Sequence, residues 1–236
     1  MIIRKLKKED LANLVNLHYS VLPNEFLTSV SKSFLLGFYQ NLFFSPHSHF
    51  LGTFASVTTK NHGTDDPNNF KLWVAEAEGV PSSARTPTEV GGGHRTGRAS
   101  DRTHFHLVAA IVGLEEKYKP KLDSYLLLFL KNLPFFLAKL DKLVQLVQSF
   151  IFKLKDKQET EIFFIGVSPK YQGQGLGKKL IAALEKTLLS EYKTLSVDCK
   201  CKLPSNKFYQ ACGFRVKKKF RLYNEDWNRY EKVLSV

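Results

Sequence analysis

Gly173, Gly175 and Gly177 occupy three of five consecutive positions in SPKYQGQGLGKKL (168–180), and Lys178 and Lys179 follow at once. The run before them, EIFFIGV, reads as a buried strand, and LIAALEKTLL after them carries leucines at helical spacing. A helix N-terminus presents unpaired N–H groups and a partial positive charge, which suits an anion. Glycine lets the backbone approach a phosphate without a Cβ in the way. The order strand, glycine turn, helix therefore predicts a diphosphate cradle ringed by lysine charge.

Spacing sorts the phosphate motifs. A dinucleotide fingerprint needs G-x-G-x-x-G, but Lys178 stands where the third glycine belongs. A P-loop needs a glycine at Gln172 and a hydroxyl at Lys179, and has neither. The pattern Q/R-x-x-G-x-G/A remains, met by Gln172, Gly175 and Gly177. It resembles the coenzyme A loop of the GNAT N-acetyltransferase superfamily. IGVSPKYQGQGLGKKLIAALE is similar to the family's strand, loop and helix, SNKFYQACGF to its second signature, and MIIRKLKKEDLANLVNLH to its opening strand and helix.

The resemblance implies an α+β fold: a central mixed, mostly antiparallel sheet flanked by helices, as one acetyltransferase domain over 1–236. It sets residues 48–70 and 80–106 apart as loop insertions. It also makes 119–157 an inserted helical stretch, like the extra helices a bacterial subgroup carries before the coenzyme loop. The implied chemistry is direct transfer of an acetyl group from acetyl-CoA to a primary amine, without metal. The implied coenzyme contacts are Ile165, Gly166, Val167, Gln172, Gly173, Gln174, Gly175, Leu176, Gly177, Lys178, Asn206, Phe208 and Tyr209. The acceptor is a small-molecule or peptide amine that no segment encodes.

An amine must lose its proton to attack, and only about one alkylamine in a thousand is neutral at pH 7. Glu161, six residues before Val167, matches the offset of the family's general base, with Glu159 in reserve. The amide of Gly166 or Val167 is the expected donor to the developing oxyanion. Tyr209 matches the acid that meets the departing thiolate, and its alternative reading is a packed aromatic beside Phe208. Lys202 departs from the family, which often has Asn seven residues before this tyrosine.

These groups need elements to hold them. Residues 2–6 read as a strand, and Asp10 as the cap of a helix beginning near Leu11. Residues 29–44 read as an aromatic-rich helix, and 119–157 as helices interrupted at Pro134. Strands are expected at 71–78, 104–116, 159–167 and 194–200, and in the last two segments, 215–223 and 228–236. Helices are expected at 177–192 and 204–214. Residues 58–70 and 79–103 are turn-rich and read as loops.

The formal net charge of +13 favours anionic partners: a cofactor's phosphates, nucleic acid or an anionic membrane. The basic cluster RVKKKFRL alternates with apolar residues as an ordinary strand does, so nucleic acid is not expected. The lysine-rich stretch 119–157 admits a peripheral membrane contact besides packing on the sheet. A catalytically silent coenzyme A binder is the other alternative. Three cysteines, Cys199, Cys201 and Cys212, and an N-terminus without a signal-like apolar core fit a cytoplasmic protein. Cys199 and Cys201 are expected to face one side of a strand. The pairs His47/His49 and His104/His106 share alternating spacing, but a metal role is not expected for them.

Overall fold

The computed structural model describes residues 1–57, 104–118, 122–155 and 160–234. Its strands are β1 (Ile2–Lys5), β2 (Ser48–Val57), β3 (His104–Leu114), β4 (Glu161–Val167), β5 (Thr194–Lys200), β6 (Arg215–Leu222) and β7 (Glu225–Val233). They form one sheet in the order β1-β2-β3-β4-β5-β7-β6. β1/β2, β3/β4, β5/β7 and β6/β7 are antiparallel, and β4/β5 is parallel. Its helices are α1 (Leu11–Val21), α2 (Phe26–Val30), α3 (Lys32–Phe43), α4 (Leu122–Lys131), α5 (Leu133–Ala138), α6 (Leu140–Lys155), α7 (Leu176–Leu188) and α8 (Ser205–Ala211). The chain divides into two units, residues 1–55 with 107–236, and residues 56–106. All eight described helices and the glycine turn belong to the first.

Apolar periodicity puts helices on both faces of the sheet. α7 buries Leu176, Leu180, Ile181, Leu184 and Leu188 against Ile111, Ile162, Leu195 and Val197. α1 and α3 bury Leu11, Leu14, Val15, Leu35, Tyr39 and Leu42 against Phe54, Ala110, Val112 and Phe164. His18 belongs to this second layer: it stacks on Phe164 at 4.4 Å and bonds the Tyr39 hydroxyl at 2.6 Å. Burial pushes its pKa down to about 4, so the imidazole is neutral at pH 7.

Several elements differ from the sequence reading. Asp10 does not cap α1; its carboxylate accepts from the Lys7 N–H at 2.7 Å and from Arg4 at 2.7 and 3.1 Å. The helix expected at 29–44 breaks at Ser31, whose hydroxyl accepts from the Phe34 N–H and so starts α3 separately from α2. Pro134 sits in the first turn of α5, where its missing N–H costs nothing, and the break precedes it at Asn132. Residues 48–57, assigned to a loop insertion by resemblance, form β2 inside the sheet. β7 starts at Glu225 rather than 228, because Tyr223 and Asn224, at φ 54° and 57°, make a tight two-residue turn. The expected strand 71–78 and the loops 58–70 and 79–103 lie outside the described residues.

Two irregularities shape the middle of the sheet. Pairing runs from Ala109↔Val167 to Val112↔Phe164 and then resumes at Gly113↔Ile162, which leaves Phe163 as an extra residue in β4. This is a β-bulge. Ile162 belongs to the α7 layer, Phe163 and Phe164 both to the α1/α3 layer, and Ile165 to the α7 layer again. The second irregularity is that β4 and β5 pair only at Glu161↔Ser196. The Ser196 N–H donates to the Thr160 carbonyl at 2.9 Å beside that pair. Beyond it the two strands part, so the sheet is open between the far half of β4 and β5.

Candidate active site

β4 delivers the chain to the glycine turn at the open end of this splay. The Ser168 N–H donates to the Val108 carbonyl at 2.8 Å. With the Ala109↔Val167 register, antiparallel alternation aims the N–H and C=O of Gly166 at β3. The same alternation turns those of Ile165 and Val167 toward the opening. Of the two amides expected to meet an oxyanion, the Gly166 amide is therefore committed to the sheet and the Val167 amide faces the splay.

The turn itself is built by Gln172 and two glycines. The Gln172 side-chain amide donates to the Val167 carbonyl at 3.1 Å and ties the turn to the end of β4. Gly173 and Gly175 have φ 77° and 74°, the left-handed region that side chains disfavour, and both are exposed, as is Gln174. Gly175 is the N-cap of α7, and the first intrahelical bond runs from the Lys179 N–H to its carbonyl at 3.1 Å. The N–H groups of Leu176, Gly177 and Lys178 thus have no acceptor within the helix. The Leu176 side chain is anchored in the core, and those of Lys178 and Lys179 are exposed. Backbone N–H groups, rather than lysine side chains, are what the turn itself presents.

α8 closes the other side. Phe208 approaches Gly177 so closely that a Cβ there would meet its Cζ at 2.9 Å. Tyr209 is buried against Phe208, Phe214 and Tyr230. Among the described residues nothing hydrogen-bonds its hydroxyl. Burial pushes its pKa well up, with the nearby Cys199 and Cys212 adding to the rise, so it holds its proton far above neutrality.

Asn206 has another role than the coenzyme contact its motif implies. Its Nδ2 donates to the carbonyls of Lys200, Cys201 and Leu203 at 2.9, 3.2 and 2.6 Å. Its Oδ1 accepts from Asn228 and from the Tyr230 hydroxyl, each at 2.9 Å. With every polar atom spent inside the fold, Asn206 locks the β5–α8 turn and thereby places Phe208 and Tyr209. Lys202 pairs with Glu225.

Glu161 stands at the vertex of the splay, at the far end of β4 from the turn. Val167 lies six residues further along the strand, about 20 Å away. The structure thus gathers Val167, the turn, Phe208 and Tyr209 at one end of the opening and sets Glu161 at the other. Beside the vertex, the Asp198 carboxylate on β5 takes Arg229 in two bonds of 2.7 and 2.6 Å. Lys200 bridges Glu25 at 3.0 Å and Glu225 at 2.7 Å. This charged set was missed by the sequence reading, because its members lie far apart along the chain.

Cys199 is buried and Cys201 exposed: β5 ends at Lys200, so the expected shared face does not extend that far. His47 and His49 both bond Glu115, at 2.8 and 2.7 Å. Among the described residues no group of three His, Cys, Asp or Glu side chains has metal-binding geometry, and no helix is long and apolar enough to cross a membrane.

The sequence profile of the Acetyltransferase (GNAT) family matches residues 106–214. No curated protein sequence matches the chain. Solved structures share its fold at low identity. A ribosomal-protein alanine N-acetyltransferase from Escherichia coli is 15% identical with a TM-score of 0.50, covering 100% of this chain and 94% of its own. An N-acetyltransferase from Staphylococcus aureus is 12% identical with a TM-score of 0.51, covering 99% and 98%. An aminoglycoside 6'-N-acetyltransferase complexed with coenzyme A is 10% identical with a TM-score of 0.53, covering 100% and 98%.

Proposed function

We propose, from the match of residues 106–214 to the Acetyltransferase (GNAT) family, that this chain transfers the acetyl group of acetyl-CoA to a primary amine. The observation that carries the reading is the single β4–β5 pair at Glu161↔Ser196, which leaves a strand-wide opening between the glycine turn and a carboxylate. The N–H groups of Leu176, Gly177 and Lys178, at the α7 N-terminus, fit a diphosphate. The β4 backbone facing the opening fits an extended amide-bearing arm, which can pair with it as an added strand does.

The chain's own groups then divide the work. Glu161 lies about 20 Å along β4 from Val167, so it takes the proton the ammonium must lose through a chain of waters in the opening, and the amine nitrogen attacks the thioester carbon. The Val167 N–H donates to the carbonyl oxygen as it gains charge. The carbon–sulfur bond breaks, the Tyr209 hydroxyl, protonated because it is buried, donates to the departing thiolate, and the second proton that the attacking nitrogen sheds as the amide forms passes through water to restore the phenol. The neighbouring folds include enzymes of peptide and of small-molecule amines, so the acceptor class stays at primary amine.

The test is release of free coenzyme A thiol from acetyl-CoA across a panel of amino acid, peptide, polyamine and aminoglycoside acceptors. Turnover with at least one acceptor, lost in Glu161→Gln and Tyr209→Phe while acetyl-CoA still binds, is the expected result. Binding without turnover across the panel would leave a silent coenzyme A binder. No binding, with Gly175→Val indistinguishable from wild type, would overturn the reading altogether.

A further inference from the structure

The three helices between β3 and β4 carry an apolar surface that the fold does not use. Fourteen large apolar side chains are exposed among the described residues, and half of them lie on α4–α6. α4 exposes Leu126, Leu127 and Leu130 at 53%, 54% and 51%, and α5 exposes Leu137 at 61%. α6 exposes Leu140, Val144 and Val147 at 62%, 53% and 48%, a stripe at i, i+4 and i+7.

These are not the residues that hold the helices in place. Leu128, Phe129, Phe135, Phe136 and Leu143 pack on Val30 and Phe34, and Leu128 also meets Gly37. At 100° per residue, the exposed trio on α4 centres on the side of the helix opposite Leu128 and Phe129. α4 is thus apolar on both its inner and outer faces, which a water-facing surface helix is not. Contiguous exposed apolar surface marks an interaction site.

Charge selects the occupant. Residues 119–157 hold eight lysines against three aspartates, within a chain of net charge +13. Lys131 and Lys139, at the junctions between these helices, are exposed. A second copy would bring the same lysines against one another, whereas an anionic surface complements them. None of the described helices is long enough to span a bilayer, so the geometry is that of helices lying on one. We infer that α4–α6 dock this protein on anionic lipid surfaces, with the leucine and valine stripe in the headgroup boundary and the lysines at the phosphates.

Flotation of the full chain with phosphatidylcholine vesicles, with and without phosphatidylserine, tests this. Wild type should float with the anionic vesicles and bind neutral ones at least ~10-fold more weakly, the gap closing in high salt. Leu130→Glu/Leu140→Glu/Val144→Glu should lose at least ~10-fold in binding to anionic vesicles, with melting temperature and acetyl-CoA affinity unchanged. Lys131→Glu/Lys139→Glu, which leaves the apolar face intact, should also bind them less. The inference is overturned if wild type stays in the soluble fraction with both vesicles, or if the apolar triple variant floats as wild type does. Self-association in sedimentation that the same triple variant abolishes, without vesicle binding, would assign the face to a second copy and overturn it equally.

Discussion

Phe208 lies on Gly177 with no room for a side chain between them: a Cβ at 177 would sit 2.9 Å from the Phe208 Cζ. The contact joins the start of α7 to α8, and so joins the glycine turn to the residue next to Tyr209. Gly177→Ala should be tolerated by a small swing of the ring, at about a 10-fold cost in acetyl-CoA affinity. Gly177→Val should displace Phe208 and lose about 100-fold or more, consistent with overpacking costs of about 1–3 kcal/mol. Titration calorimetry with acetyl-CoA reads both. Equal affinities for the two variants would mean that the contact does not couple the elements.

Tyr209→Phe removes one oxygen from a packed ring, so stability and acetyl-CoA binding should hold. The rate of acetyl transfer should fall by about 100-fold or more, the usual scale for a positioned acid. Because burial raises the pKa of this phenol, the wild-type rate should show no basic limb from Tyr209 near neutrality. A pH–rate profile to the alkaline side checks the sign: loss of activity appears only as the pH rises through the elevated pKa.

Asn206→Ala separates positioning from ligand contact. The side chain makes five hydrogen bonds inside the protein. Its loss strands several partly buried acceptors and should lower stability by about 1–3 kcal/mol. Chemical denaturation without coenzyme measures it. An unchanged midpoint would mean the β5–α8 turn does not depend on this amide.

Glu115 gives the fold an acid-sensitive tie. Burial pushes its carboxyl up, but hydrogen bonds from His47, His49 and Tyr192 outweigh that and hold it below the usual 4.5. A carboxylate with a depressed folded pKa contributes stability that is present above the unfolded value and is lost as pH falls through the folded one. The stability advantage of wild type over Glu115→Gln should be full at pH 6 to 7. It should shrink progressively below about pH 4.5. Urea midpoints across that range, with a constant difference as the contrary result, decide it.

The glycine turn was legible because its requirements are local: positive φ at Gly173 and Gly175 and exposed N–H groups at a helix start are written in consecutive residues. α7 was legible because five leucines and isoleucines fall on one face. The bulge at Phe163 was not. EIFFIGV alternates no differently from a regular strand, and only its partner β3, some fifty residues earlier, defines an extra residue. β2 escaped notice because SHFLGTFASV mixes small and polar residues that become strand only between β1 and β3. Asn206 was read by motif as a ligand, since the carbonyls that consume its amide are assembled by a turn no spacing reveals. That Val167 rather than Gly166 turns its amide to the opening likewise depends on register.

Phe163 also puts the two halves of β4 out of phase. Upstream of it, even-numbered residues face α7; downstream, odd-numbered ones do. The strand therefore behaves as a geared shaft with one added tooth, and its residue count matters more than the identity of the residue that supplies it. Exchange of Phe163 for another large apolar residue keeps the gearing. Removal of it joins Ile162 directly to Phe164 with both keeping their β3 partners, so the ladder turns regular and the bend that the extra residue puts into β4 is lost.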